Sequence, residues 1–141
     1  MTWIRHFLPF ITRTHRWMYL ATGGWIGGWL PGMRFLLLGH VGRRSGTAYL
    51  TPILYVSDGD RMILAGSNAG QDRPPAWWLN LQARPEATVQ TGRRRFAVRA
   101  TTARDAEAER LWALLRNSYP WFDSYREATE REIPIIVLEP S

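Results

Sequence analysis

Arg43 and Arg44 stand side by side between Gly42 and Gly46, with Ser45 completing the stretch VGRRSG from Val41 to Gly46. Guanidinium groups make forked, charge-assisted hydrogen bonds to phosphate and carboxylate. Glycines let a backbone approach a ligand closely. Two readings are open to such a segment: a built anion-binding loop, or the solvated tip of a hairpin. Further along the chain Ser67, Tyr119 and Tyr125 supply hydroxyls, while Trp77, Trp78 and Phe122 supply flat apolar surface. The mixture suits a flat anionic ligand that carries its own reactivity, with the protein providing binding, orientation and electrostatics.

Other chemistries lack their residues. The chain has no cysteine, and therefore no disulfide, thiol nucleophile or thiolate metal site. His6, His15 and His40 are scattered, without an HExxH pattern, so no metal site is expected. The arginine loop lacks the GK[ST] ending of a P-loop, and there is no GxSxG elbow. Acidic residues fall in turns (Asp58, Asp60) or on helix faces (Glu107, Glu109), and nothing marks a catalytic carboxylate pair.

Composition narrows the partners. The 141 residues are 45% apolar, which fits one globular domain, residues 1–141, of ordinary size. The net charge of +6 comes from arginine alone, since lysine is absent, and it favours an acidic partner. Eight tryptophans exceed core filling and point to a ligand or membrane surface for some of them. The stretch GRRRF (Gly92 to Phe96) is basic. However, the arginines are dispersed and no RNA-binding signature is present, so nucleic acid is not expected as a partner. No cleavable signal is visible, and no run reaches the roughly 18 apolar residues of a spanning helix. The expectation is a cytoplasmic protein, soluble or peripheral, with its oligomeric state unset.

Several elements must position these residues. Residues 1–30 read as a basic amphipathic helix, interrupted at Pro9, followed by a Gly/Trp-rich connector. That helix either packs on its own domain or lies on an anionic membrane. Residues 31–141 hold the rest. Apolar runs at Met33–His40 and Thr47–Ser57 predict strands, and the Asp58–Asp60 turn predicts a hairpin into a third from Arg61. Pro74 and Pro75 open a short helix through Trp77 and Asn80, and a second hairpin turns at Thr91 and Gly92. Ala108, Leu111, Trp112 and Leu115 mark a helix over Asp105–Asn117, with Asp105 at its N-terminus. An aromatic segment, Tyr119 to Tyr125, then leads to a last strand in IPIIVLEP. The sum is an α+β domain of about six mostly antiparallel strands, forming a sheet or small barrel with peripheral helices.

With its order and spacing intact, this set of motifs resembles the deazaflavin-dependent nitroreductase family, split-β-barrel enzymes that use reduced coenzyme F420. The motifs are LLLGHVGRRSGTAYLTPILYV, DGDRMILAGSNAG, PAWWLNLQARPEATVQ and YPWFDSYREATEREIPIIVLEP, spread over roughly residues 15–140. The resemblance implies a split β-barrel of the flavin-reductase and pyridoxamine-oxidase type. It also implies hydride transfer from the deazaflavin to a quinone, an activated alkene or a nitroaromatic. By that match Arg43, Arg44 and Ser45 hold the cofactor's phosphate and acidic tail, and Tyr49, Leu50, Thr51, Pro52, Ile53 and Leu54 line it. Ala65, Gly66, Ser67 and Asn68 pass beside the ring, and Ala76, Trp77, Trp78, Leu79 and Asn80 close the pocket, with Trp77 the favoured tryptophan. Tyr119, Phe122 and Tyr125 cover the substrate side, and Ser67, Tyr119 and Tyr125 are the candidates to polarise the acceptor or relay a proton.

The chain departs from the family pattern at three of these positions. Tyr49 stands where relatives usually carry arginine, Asn68 where many carry lysine, and Phe122 where tyrosine is common. FMN is the alternative cofactor, and a non-catalytic carrier of lipid or another hydrophobic ligand the alternative function. A lipid-soluble quinone as acceptor would suit a peripheral membrane contact through residues 1–30.

Overall fold

The computed structural model describes residues 33–141. The expectations for the N-terminal helix, the connector and membrane contact through residues 1–30 lie outside that range. Within it, seven strands form one antiparallel sheet: β1 (Phe35–Val41), β2 (Ala48–Leu54), β3 (Val56–Asp58), β4 (Arg61–Ala65), β5 (Glu86–Thr91), β6 (Arg94–Thr102) and β7 (Ile135–Pro140). Their order is β2-β1-β5-β6-β7-β4-β3, and the sheet curls into a half-barrel. Among the described residues three α-helices accompany the sheet: α1 (Ala76–Ala83), α2 (Asp105–Ser118) and α3 (Phe122–Ala128).

Side chains alternate across a strand, and both faces of the central strands are apolar. Met62 and Leu64 of β4, with Ile136 and Leu138 of β7, join Leu36, Leu38, Val89 and Val98 inside the curl, under Trp77 and Leu81 of α1. Their sequence neighbours Ile63, Ala65, Ile135 and Val137 face the other way and pack beneath Leu111, Trp112 and Leu115 of α2 and Phe122 of α3. A strand covered on both faces reads as an unbroken apolar run, as IIVL in β7 does.

The expected count of about six strands becomes seven because the run Thr47–Ser57 is divided. Its first part, β2, pairs with β1, and its last part, β3, pairs with β4. Tyr55, at the break, is buried and donates its N–H to the Arg34 carbonyl at 3.0 Å. The chain thereby changes partners and crosses from one edge of the sheet to the other. Pro52 fits this arrangement, since β2 is an edge strand with no neighbour demanding its missing N–H. Asp105 lies in the first turn of α2 with a left-handed φ of 54°, and no side chain caps that helix.

Tyr119, one of the residues expected at the reaction centre, is part of this framework. It is 1% exposed; its hydroxyl donates to the Tyr55 carbonyl at 2.8 Å and accepts the Arg34 N–H at 3.1 Å. One phenol therefore fastens the end of α2 to the starts of β1 and β3. Replacing Tyr119 with Phe should cost about 1–3 kcal/mol in urea unfolding, because two buried backbone groups lose their partner. A loss below about 0.5 kcal/mol, the level of an ordinary surface change, would show the hydroxyl to be idle.

Candidate functional site

The arginine loop joins β1 to β2 beyond their last pair, Val41 with Ala48. It closes on itself: Gly42 N–H donates to the Thr47 carbonyl at 2.8 Å, and Gly46 N–H to the Gly42 carbonyl at 2.9 Å. Gly46 adopts φ 72°, a left-handed conformation that glycine takes without strain. Ser45 Oγ accepts the Thr47 N–H at 3.1 Å, leaving its hydroxyl proton available.

The two arginines differ in how they are held. Arg43 donates to Asn80 Oδ1 twice, from its backbone N–H at 3.1 Å and from Nη1 at 3.2 Å. Arg44 is exposed, and its guanidinium has no hydrogen bond or ion pair among the described residues. The loop thus presents two cations with no acidic partner among the described residues, one tied to α1 through Asn80 and one untied.

Asn80 is 4% exposed, and its Nδ2 lies 3.0 Å from Nδ1 of His40. His40 Nε2 in turn lies 2.9 Å from Thr51 Oγ1. The imidazole is 6% exposed and stacks on Tyr49, with centroids 5.6 Å apart. Burial pushes its pKa down from 6.5 to about 4, so it is neutral at pH 7. An open groove of about 470 Å³ runs beside the base of the loop, walled by Gly39, Val41, Ala48, Leu50 and Thr88, with Glu86 also lining it.

The second candidate segment follows β4. Ser67 is 8% exposed, and Asn68, Ala69 and Gly70 turn in succession at φ 45°, 54° and 77°. Left-handed conformations at two non-glycine residues need support from outside, and Arg131 provides it. Its guanidinium donates to the carbonyls of Gly66 (3.1 Å), Ser67 (2.9 Å) and Gln71 (2.9 Å). Asn68 Nδ2 adds a bond to the Arg73 carbonyl at 3.0 Å. Gly70 is packed against α3: a Cβ there would come within 3.2 Å of the Tyr125 backbone and 3.0 Å of Ala128.

Strand register brings these parts to one end of the sheet. The Val41, Glu86, Thr102, Ile135 and Ala65 ends of β1, β5, β6, β7 and β4 point the same way, staggered so that Val41 is level with Arg61 and Ala65 reaches further along. The arginine loop and the Ser67 turn extend from that end, and the loop meets α1 there. Tyr119 bonds to Arg34, at the other end of β1, and to Tyr55, which directly precedes Val56, the register partner of Ile63 in β4. The Tyr119 hydroxyl is bonded to backbone on both sides, with the proton on the Tyr55 carbonyl.

Packing decides how three other sets of candidates are exposed. Trp77 is 9% exposed within the barrel interior, and Trp78 is the partly buried member of the pair. Helical rotation of about 100° per residue sends neighbouring side chains to different faces. In β2, alternation turns Ile53 into the core and Leu54 toward the helix-covered face. Tyr49 is 43% exposed, and Leu50 lines the groove. Phe122 is 5% exposed and wedged among Trp112, Tyr119 and Tyr125. Only Tyr125 of that trio is half-buried, its phenol pKa raised by burial against an opposing hydrogen bond from Trp121.

His40, Arg131 and Trp121 lie within the quoted motifs but received no role from the sequence, yet the structure places them at or beside these segments. His40 had one legible signal, its position directly before the loop on the inward register of β1. Arg131 had none, because its partners lie about 60 residues earlier in the chain.

Comparison with known proteins bears on the whole arrangement. Residues 11–140 match the family model described as F420H(2)-dependent quinone reductase. The F420H(2)-dependent quinone reductase Rv1261c of Mycobacterium tuberculosis is 33% identical over 138 residues, covering 95% of this chain and 93% of that protein. Rv3178 of the same organism is 41% identical over 105 residues, 74% of this chain and 88% of its own length. The solved structure of an F420-H2 dependent reductase, FDR-A, aligns with a TM-score of 0.69 at 27% identity, covering 74% of this chain and 93% of that one.

The depressed His40 pKa makes stability depend on pH. The unfolded chain takes up a proton near pH 6.5 that the folded chain refuses until about pH 4. Unfolding is then favoured as pH falls through that window, by roughly 3 kcal/mol at its lower end. Asp58 and Glu107, held near pKa 2 by hydrogen bonds from Arg110 and then Arg61, titrate below it. Urea unfolding of the wild type should weaken between pH 6.5 and 4, and the His40→Phe variant should lose that component. Identical pH profiles for the two proteins would refute it.

Proposed function

The chain belongs to the F420H(2)-dependent quinone reductase family, and from that premise we propose that it reduces a quinone with coenzyme F420 bound along the arginine loop. The observation that carries this reading is the division of labour between the two loop arginines. Arg43 is tied to Asn80, and Arg44 has no partner among the described residues, on a loop whose base lines an open groove.

The residues present fit the cofactor. Its phosphate and acidic tail need exposed cations, and the free Arg44 guanidinium can meet them bidentately, with the Ser45 hydroxyl beside it. Leu50 and Tyr49 offer apolar and aromatic surface at the same groove. At the Ser67 turn, support from Arg131 keeps the backbone in one conformation. When bound, reduced F420 supplies the hydride that an electron-poor acceptor receives.

The protein's part is to orient and to manage protons. Holding donor and acceptor in one close geometry removes most of the entropic cost of their encounter. Tyr125 keeps its proton at neutral pH, because burial raises its pKa, and it is the phenol we assign to the acceptor's oxygen. Ser67 stays beside it as a second hydroxyl candidate. Tyr119 and Phe122 stiffen the wall behind them.

FMN, the alternative cofactor, has no support in the family match. Activated alkenes and nitroaromatics are acceptors of the same electronic kind as quinones. Among the described residues no helix is long and apolar enough to cross a membrane. We place the protein in the cytoplasm, with the cationic, aromatic sequence of residues 1–30 supporting contact with an anionic membrane that holds a lipid-soluble quinone.

Titration with F420 and with FMN, read by tryptophan quenching, followed by turnover of F420H2 with menadione, tests the reading. F420 should bind and FMN should not, and menadione should be reduced. Arg44→Ala should weaken F420 binding about tenfold, the loss of one charge-assisted contact, with no change in unfolding midpoint. Arg43→Ala should weaken both binding and stability. Absence of F420 binding by the wild type would sink the proposal.

A further inference from the structure

Asn80 accepts two hydrogen bonds from Arg43 on one atom, and this settles which end of its amide is which. An N–H from the Arg43 backbone and one from its guanidinium both reach the same position, at 3.1 and 3.2 Å. Only an oxygen can accept them, so the other end of the amide is NH2. That NH2 lies 3.0 Å from His40 Nδ1. Nδ1 must therefore carry no proton. Neutral imidazole then bears its proton on Nε2, which lies 2.9 Å from Thr51 Oγ1 and donates to it.

We propose that His40 is the positioning residue of the anion loop: as the Nε2-protonated neutral imidazole it holds the Asn80 amide in the one orientation that accepts both Arg43 donors. Every donor in the series points the same way, from Arg43 to Asn80 to His40 to Thr51. The series joins the loop, α1, β1 and β2. Bonds aligned in this manner polarise one another in a low-dielectric interior, and both His40 and Asn80 are almost fully buried.

A proton on Nδ1 would set two donors against each other. The Asn80 amide would then have to turn its oxygen toward His40, leaving Arg43 N–H and Nη1 facing an NH2 group. The Arg43 end of the loop would lose its anchor while the covalent framework stayed intact. The charged and titratable groups around His40 are Arg43 on the loop, Tyr49 on β2 and Glu86 on β5, and α1 contributes none. The stacked Tyr49 ring shields the imidazole from solvent, which gives the aromatic residue at this position a use.

The consequence for cofactor affinity rests on the F420 reading above, whereas the hydrogen-bond pattern does not. The tests separate the two. Nitrogen-15 NMR of the full chain at pH 7 should show His40 as the Nε2–H tautomer, and an Nδ1–H tautomer or an imidazolium would overturn the proposal. His40→Phe keeps a ring against Tyr49 and removes both nitrogens. In that variant the Arg43 amide should exchange about tenfold faster, and the F420 KM should rise about tenfold with kcat changed by less than about twofold, the signature of one lost buried hydrogen bond acting on binding alone. Asn80→Asp is a second variant: its carboxylate still accepts from Arg43 but presents an acceptor to Nδ1. His40 should then take a proton on Nδ1, visible in the same spectra, and an unchanged tautomer would overturn the relay.

Failure of the wild type to bind F420 would bring down the functional reading, with the tautomer and the Arg43 exchange still deciding the relay. F420 binding by wild type and His40→Phe alike, with the Arg43 amide equally protected in both, would bring down the relay alone.

Discussion

Two apolar faces on one sheet is the constraint from which the rest of this structure follows. β4 and β7 cannot leave either side in water, since Ile63, Leu64, Ile136 and Leu138 are all essentially unexposed. One cover must come from inside the curl and one from outside. Helix α1 supplies the first, dropping Trp77 and Leu81 into the interior. That docking brings Asn80, one turn along the helix from Trp77, against the arginine loop. Helices α2 and α3 supply the second cover and gather the aromatic residues on the outer face. The site lies where the inner plug reaches the end of the barrel, and it is a by-product of how the two faces are closed.

Polar groups drawn into that closure needed partners, and their pairing shapes the site. A buried donor left without an acceptor costs about 1–3 kcal/mol, so Asn80 and His40 are tied to each other and to Arg43 and Thr51. Arg131 answers the same requirement at the Ser67 turn, where three carbonyls flanking a left-handed stretch share one guanidinium. Both clusters hold backbone in place where a ligand would come. Arg44 stands outside them, and its freedom is the informative feature. A cation with no internal partner among the described residues is available to a ligand, whereas Arg61 and Arg110 are engaged by Asp58 and Glu107.

Much of the fold was legible because it depends on local chemistry. Asp58–Gly59 and Thr91–Gly92 announce their hairpins through glycines at φ 64° and 59°, and the apolar stripe of α2 is visible without knowing what it packs on. The break at Tyr55 was not legible. Nothing in the run Thr47–Ser57 says that its two halves pair with different strands, because pairing is decided by closure of the sheet. The faces of Trp77 and Trp78 were hidden for a related reason. Both are large and apolar, and only the docking angle of α1 decides which one faces the interior. Tyr119 looked available because its hydroxyl has no local partner; the partners are Arg34 and Tyr55, 85 and 64 residues away in sequence.

By itself the sequence determined the family, the strand-rich class and the position of the cationic loop. Those properties belong to single residues and to neighbours along the chain, where glycine freedom, guanidinium charge and apolar alternation act without reference to the rest. Tertiary structure alone decided that Arg43 is tied to Asn80 while Arg44 has no partner among the described residues, that His40 meets Asn80 at the base of the loop, and that the Tyr119 hydroxyl is bonded to buried backbone. Each of those outcomes depends on which buried polar group finds which partner, and a hydrogen bond spanning 37 to 85 residues of chain exists only after the sheet has curled and its covers have docked.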